Sequence, residues 1–353
     1  MMATTLCGQG SQGSTQNAEP TDEAGATWRD VQLRYKLAPK SFNNLLSVPK
    51  APSRQQILRQ ACFCTEFAAF PIDSAEKTFF REINDHCPIP YRITEAIILP
   101  WQKVFLLVQI DLARCVWPNK LSAAARKRLH SERGSIYRVL DQVLRCLVDI
   151  LGQRLDGSGV VAALDVLRSV KAGVWEGNNM DLLQVDGIGP AKARTLAEAG
   201  IKTVPQLSKL EFYHIERLLH RNPPFGQQLL HQVAGFPRLQ LDAHSIKAPT
   251  NEENNVARPS AQASLPVLSL ALRYENDELP VWDKKSPWVT LVVSDQDGRL
   301  LWFWRGSIKR LTGGKDLLIQ VDAKDRENVQ ISFACESIVG TMQRKEVSVS
   351  SGN

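Results

Sequence analysis

The hydrophobic period of the chain changes once, near Leu265, and this predicts a multidomain α-then-β architecture: a helical bundle with a helix-hairpin-helix, then an immunoglobulin- or fibronectin-like β-sandwich. Up to Ala234, apolar residues recur at three- and four-residue intervals, the spacing of helices that bury one face. Beyond Leu265 they alternate in short runs separated by turn residues. Between them, the segment 182–204, LLQVDGIGPAKARTLAEAGIKTV, places glycines and a proline where a hairpin between two helices needs them. The resulting divisions are a disordered tail at 1–27, the bundle at 28–177, the hairpin region at 178–247, a linker at 248–263 and the sandwich at 264–349.

Residues 1–27 are rich in Ser, Gly, Gln, Thr and Ala without periodicity, a composition that buries too little apolar surface to fold. Asp22-Glu23-Ala24-Gly25 is superficially like a helicase Mg-binding motif, but no apolar strand precedes it, so the match is treated as chance. Residues 28–48 read as helix, broken by Val48-Pro-Lys-Ala-Pro52. Ser53 caps 54–66, and Asp73 or Ser74 caps a helix through Asn84 with Glu76 in its first turn. The two prolines between His86 and Pro90 make a loop. Residues 97–112 are apolar around most of the circumference, a buried helix kinked or restarted near Pro100. Ile136, Leu140, Val143, Leu144, Leu147 and Leu151 give the next helix its inward stripe, and 160–175 form another, ended by Gly177.

The hairpin has a backbone reason at each position. Asn178 and Asn179 cap a short first helix with Asp181 in its first turn. Gly187 and Gly189 bracket Ile188, which drops between the helices, and Pro190 sits at the first position of the second helix, where its missing N–H costs nothing. Gly200 stands where a left-handed C-cap is expected. The outward amides of such a turn form a nest that accepts a phosphate without reading sequence, with Lys192 and Arg194 supplying charge beside it. The alternative is a helical connector that touches no nucleic acid. Thr203 caps the next helix, followed by 212–220 and 225–234; strands follow at 267–272, 288–294, 300–305, 316–321, 329–335 and 345–349, with Asp295-Gln-Asp-Gly298 as a hairpin turn.

A chain of 353 residues has room for two or three domains with their own cores. A net charge of +6 permits a polyanionic partner without demanding one. The basic run Lys120, Arg126, Lys127, Arg128, His130 and Arg133 reads as a solvated helix face or as phosphate contacts. Seven scattered cysteines make no disulfide framework and suggest a reducing compartment. Cys62-Phe-Cys64 with His86-Cys87 matches no zinc spacing, so buried free thiols are expected and no metal. The histidines pair with no nucleophile or acid in a catalytic pattern. No secretory signal and no apolar run of about 18 residues occur, so neither secretion nor a membrane span is expected.

Several passages carry a family pattern: Arg81-Glu-Ile-Asn84 after Glu76-Lys77, Leu99-Pro-Trp-Gln-Lys103 before Val-Phe-Leu-Leu-Val-Gln109, Val185-Asp-Gly-Ile-Gly189, the run 288–341, and Asn222-Pro-Pro-Phe-Gly-Gln227 with Gly235-Phe-Pro237. Through them the chain, over 28–349, resembles the C-terminal third of superfamily-two helicases that carry a Sec sixty-three domain, most closely the meiotic crossover DNA helicases. The resemblance implies ATP-dependent 3′ to 5′ DNA unwinding in homologous recombination and crossover formation, in the nucleus. It further implies single-stranded or branched DNA as partner, recombination proteins docking on the sandwich, and no membrane. ATP and Mg are expected only for the family's RecA-like motor domains; Gly314-Lys315 is followed by Asp316 and lacks the earlier glycine of a phosphate loop, so this chain needs no cofactor and is expected to be inactive alone.

The resemblance also makes 163–175 a ratchet helix touching the translocating strand. Arg168 and Trp175, two turns apart, would hold a phosphate and stack on a base, unless Trp175 is core and Arg168 a solvated charge. Two other functions remain: a non-enzymatic protein-binding scaffold, like the endoplasmic-reticulum member that shares the domain, and a piece of a spliceosomal RNA helicase.

Overall fold

Side chains that satisfy free helix-end amides start several of the helices. The Ser53 hydroxyl accepts from the Gln56 amide while the Gln56 side chain accepts from the Ser53 amide, and Thr203 with Gln206 repeats this reciprocal arrangement. Ser122 accepts from Ala125, and the Asp73 amide donates to Glu76. The computed structural model describes residues 28–177, 180–246, 267–321 and 328–349. The tail, the Asn178 and Asn179 caps and the linker lie outside the described residues.

The helices are α1 Trp28–Tyr35, α2 Pro39–Leu46, α3 Arg54–Cys62, α4 Lys77–His86, α5 Pro100–Leu112, α6 Ala123–Gln153, α7 Gly157–Ala172, α8 Pro190–Glu198, α9 Val204–Leu207, α10 Phe212–Leu219 and α11 Phe225–Ala234. The strands are β1 Leu239–Ile246, β2 Val267–Tyr274, β3 Trp288–Asp295, β4 Leu300–Ser307, β5 Lys315–Gln320, β6 Asn328–Cys335 and β7 Gln343–Ser348. Three boundaries depart from the sequence reading. The helix expected over 28–48 is split, because Lys36 takes a left-handed φ of +49° and Pro39 restarts the chain. α6 starts well ahead of the apolar stripe that begins at Ile136, because Ser122 caps it, and so takes in the basic run from Arg126 to Arg133 while Lys120 precedes the cap. β1 falls inside the hairpin region, before the expected linker; its buried Leu239, Leu241 and Ala243 alternate with exposed Gln240, Asp242 and His244.

α5 is buried from Trp101 through Leu112 and forms the axis around which α3, α4, α6 and α7 pack. Its one cation, Lys103, is neutralised inside the core by Glu76 at 2.9 Å and Glu132 at 2.7 Å, and it also donates to Pro71 O. The strands form two antiparallel sheets, ordered β1-β2-β5 and β4-β3-β6-β7. Leu241, Leu268 and Leu270 from the first share an apolar core with Leu291, Ile331 and Phe333 from the second. No helix among the described residues is long and apolar enough to cross a membrane.

The four-stranded sheet docks directly on the helices, with Val292, Leu300 and Phe303 packed into the helical core. Charges fix the docking. Arg168 on α7 donates through Nε to Cys335 O at 2.6 Å and through a terminal nitrogen to Asp165 at 2.9 Å and Glu176 at 3.1 Å. Beside it, buried Glu336 receives Arg305, Arg145 at 2.5 Å and Lys171 at 3.2 Å. Burial alone would raise the Glu336 carboxyl, but these three cations outweigh it and hold the group below its ordinary value.

Two outcomes follow for stability. Arg168→Ala leaves the buried Glu176 carboxylate without its cation and the Cys335 carbonyl without its donor, with Asp165 still held by Arg54, so chemical denaturation should show a loss of about 3–5 kcal/mol, whereas exposed Arg194→Ala should stay within about 0.5 kcal/mol of the parent; equal effects would contradict the docking role. A carboxyl depressed in the folded state contributes stability that is complete above its unfolded pKa and is lost as pH falls through the folded one. Glu336→Gln should therefore flatten the acid limb of a stability-versus-pH profile below the ordinary carboxylate range. An unchanged limb would assign that pH dependence to other groups.

Candidate nucleic-acid interface

The segment around Ile188 makes a tight turn with an apolar anchor and an exposed rim. Residues Asp181–Gln184 form a single 3-10 turn, shorter than the first hairpin helix expected, and the chain then reverses into α8. Ile188 is buried with Leu182, Val185, Leu196 and Ile201, while Gly187, Gly189 and Pro190 are exposed. The two glycines do different work. Gly187 has a φ of +83°, which a side chain rarely adopts, but Gly189 sits at φ −92° in extended backbone with open space where a Cβ would lie. The left-handed turn therefore depends on Gly187 alone. Gly200, at φ +85°, closes α8: Ile201 N donates to Leu196 O and Gly200 N to Ala197 O, a paired C-cap.

α8 makes its first helical bond from Ala193 N to Gly189 O at 2.9 Å, so the amides of Ala191 and Lys192 precede it at the positive end of the helix. The Lys192 ammonium folds back over the turn, donating to Gly187 O at 2.5 Å and lying 4.4 Å from the Phe225 ring centroid. Partial burial, then the nearby Arg221 charge, lower its pKa. Arg194 and Arg221 are exposed, and Asp186 places one exposed carboxylate on the flank.

Phe225 and Arg221 went unassigned in the sequence reading. Phe225 belongs to the Asn222-Pro-Pro-Phe-Gly-Gln227 passage, which carried the family pattern but no role, and Arg221 immediately precedes it. Phe225 packs 3.6 Å from where a Cβ on Gly187 would lie, so the turn between α10 and α11 rests against the first turn. A Cβ on Gly226 would overlap the Phe212 carbonyl oxygen, and Gly226 N donates to Glu216 at 2.8 Å, which fixes the start of α11 against α10. Gln184 exchanges two hydrogen bonds with Val339, at 2.8 and 3.1 Å, and ties the hairpin to the loop after β6.

The proposed ratchet face does not form. α7 ends at Ala172, where Gly173 takes a φ of +67°, so Trp175 lies beyond the helix and the two-turn spacing to Arg168 no longer sets a shared face. Arg168 is 1% exposed, its guanidinium consumed by the sheet joint. Trp175 is 4% exposed and meets Tyr91 edge-on at 5.8 Å. Neither side chain is open to a strand. The basic run is also largely engaged: Arg128 pairs with Asp73 and Glu76, Arg133 with Asp111 at 2.6 Å, and His130 stacks on Trp117 at 4.5 Å. Among the described residues the cysteines are free thiols, and no group of His, Cys, Asp and Glu could hold a metal ion.

A family model described as the Sec63 Brl domain matches residues 34–348. The chain is similar to the ATP-dependent DNA helicase MER3 of Saccharomyces cerevisiae, 23% identical over 319 residues that cover 88% of this chain and 26% of the relative. It is similar to the probable ATP-dependent DNA helicase HFM1 of Mus musculus, 22% identical over 337 residues, covering 89% of this chain and 22% of the relative. An activating signal cointegrator 1 complex subunit 3-like protein of Dictyostelium discoideum is 25% identical over 269 residues, covering 75% of this chain and 11% of its own. The chain thus spans about a quarter or less of the length of these relatives. With the family match running from the end of α1 through β7, the chain belongs to the Sec63 Brl domain family.

Proposed function

We propose that this chain is a nucleic-acid-gripping module of an ATP-dependent DNA helicase that acts in meiotic homologous recombination, in the nucleus and away from membranes. The observation that carries the reading is the meeting of two turns: the exposed Gly187–Pro190 rim, of helix-hairpin-helix type, rests against Phe225 with Lys192 between them and Arg194 and Arg221 exposed beside them. Outward amides and a cluster of cations accept phosphates regardless of base sequence, as a strand-tracking protein requires. The names of the helicase relatives support DNA over RNA. The two sheets, taken as an immunoglobulin-like sandwich, brace the hairpin and offer a surface to recombination proteins. Arg168 and Trp175 belong to the scaffold in this reading and not to the grip.

Titration with a fluorescent single-stranded oligonucleotide tests the grip. Lys192→Ala and Arg221→Ala should each weaken binding and reduce the magnitude of the salt slope by about one. Gly189→Val should weaken binding by crowding the amides while costing at most about 1 kcal/mol of stability, because its backbone is ordinary and its Cβ meets open space. Gly187→Val should instead cost about 1–3 kcal/mol of folding stability through its left-handed φ. Unchanged affinity and salt slope in both charge variants would leave the hairpin a connector.

The purified chain should also show no DNA-stimulated ATP turnover, since its sequence contains no glycine-lysine phosphate loop. Turnover that copurifies with the chain through successive columns would point to a nucleotide site elsewhere in it.

A further inference from the structure

A cavity of about 130 Å³ opens between the C-terminal end of α6 and the outer edge of β4, lined by Gly152, Leu155, Leu300, Trp302 and Phe303 among others. Its wall is apolar, and the indole N–H of Trp302 is buried without a hydrogen-bond partner among the described residues. β4 is an outer strand, paired with β3 on one side only. On its other side the chain itself makes one isolated bridge: Leu300 N donates to Leu155 O at 2.8 Å, and Asp156 pairs with Arg299 in antiparallel fashion. Among the described residues nothing continues that pairing past Leu300, and Leu155, at φ +55° and 46% exposed, turns away at the mouth of the cavity.

We propose that this edge receives an extended peptide from a partner protein, which adds to β4 as a further strand, places one large apolar side chain in the cavity and accepts the Trp302 indole proton on a carbonyl oxygen. An open strand edge offers a row of backbone donors and acceptors that extended backbone matches. Among the described residues the chain itself meets the edge only at its first position, where Leu300 N reaches Leu155 O, so the peptide pairs beyond Leu300. The volume suits a phenylalanine or leucine side chain, since a cavity of about 150 Å³ lined by aliphatic and aromatic residues holds benzene. A buried N–H without an acceptor is an uncommon feature that an incoming carbonyl resolves. Exposed Arg299 at one end of β4, and Lys309 and Arg310 past the other, select a peptide with acidic residues flanking the apolar one. The site is separate from the hairpin, and its occupancy is independent of nucleic-acid binding there.

A displayed library of nonapeptides, with glutamate fixed near both ends and phenylalanine, leucine or tryptophan at the centre, tests the site by selection against the full chain. Selected peptides should shift the Trp302 indole resonance in an amide-nitrogen correlation spectrum and slow hydrogen exchange along β4. Leu155→Lys, which charges the mouth, and Trp302→Phe, which keeps apolar bulk but removes the donor, should each weaken binding by about tenfold or more. The proposal is overturned if no peptide is selected or if selected peptides bind both variants as tightly as the parent. It also fails if oligothymidine, rather than peptide, shifts the Trp302 resonance.

Discussion

Taking Arg168, Asp165, Glu176, Glu336 and Arg305 out of water costs several kcal/mol per charge, and only partners at hydrogen-bond distance offset that cost. At the face between α7 and the four-stranded sheet the partners are complete. Arg168 reaches a backbone carbonyl of β6 and two carboxylates of the helical part, while Glu336 gathers cations from α6, α7 and β4. A slip of the sheet by one residue would strand these charges, so the joint has one register. The hairpin inherits its position from that register, because Gln184 is held by Val339, three residues past Glu336 in the same loop.

The periodicity that announces helix and strand was legible because each element buries one face, and six of the seven strands, the Ser53 and Thr203 caps and the Gly200 stop lie where side-chain chemistry alone puts them. β1 escaped notice because it is polar on its exposed face and set directly after a helical run. In the candidate site, the buried Ile188 and the exposed glycine rim were readable from local backbone logic. The contribution of Phe225 and Arg221 was not, since it arises from packing between turns more than thirty residues apart in sequence.

Arg168 shows the opposite limit. An arginine on a helix of apolar residues has the same letter pattern whether it faces solvent or a second domain, and only the sheet brought back by the distant residues of β6 decides between them. The same holds for Glu76 and Lys103. They stood in separate family-like passages, and their meaning is each other: a buried pair formed between the residue that precedes α4 and the first turn of α5. Residues that recur in such patterns without an obvious chemical task are often halves of one buried contact.

α6 joins the two ends of this arrangement. Its 31 residues make a rod about 46 Å long, with Arg128 and Glu132 near one end clasping Glu76 and Lys103, and Arg145 near the other holding Glu336. A rod of that length is a lever: a tilt of about 5° at its first turns moves its last turn by about 4 Å. A displacement imposed where the N-terminal helices are anchored is thereby enlarged at the sheet joint and at the hairpin that the sheet carries.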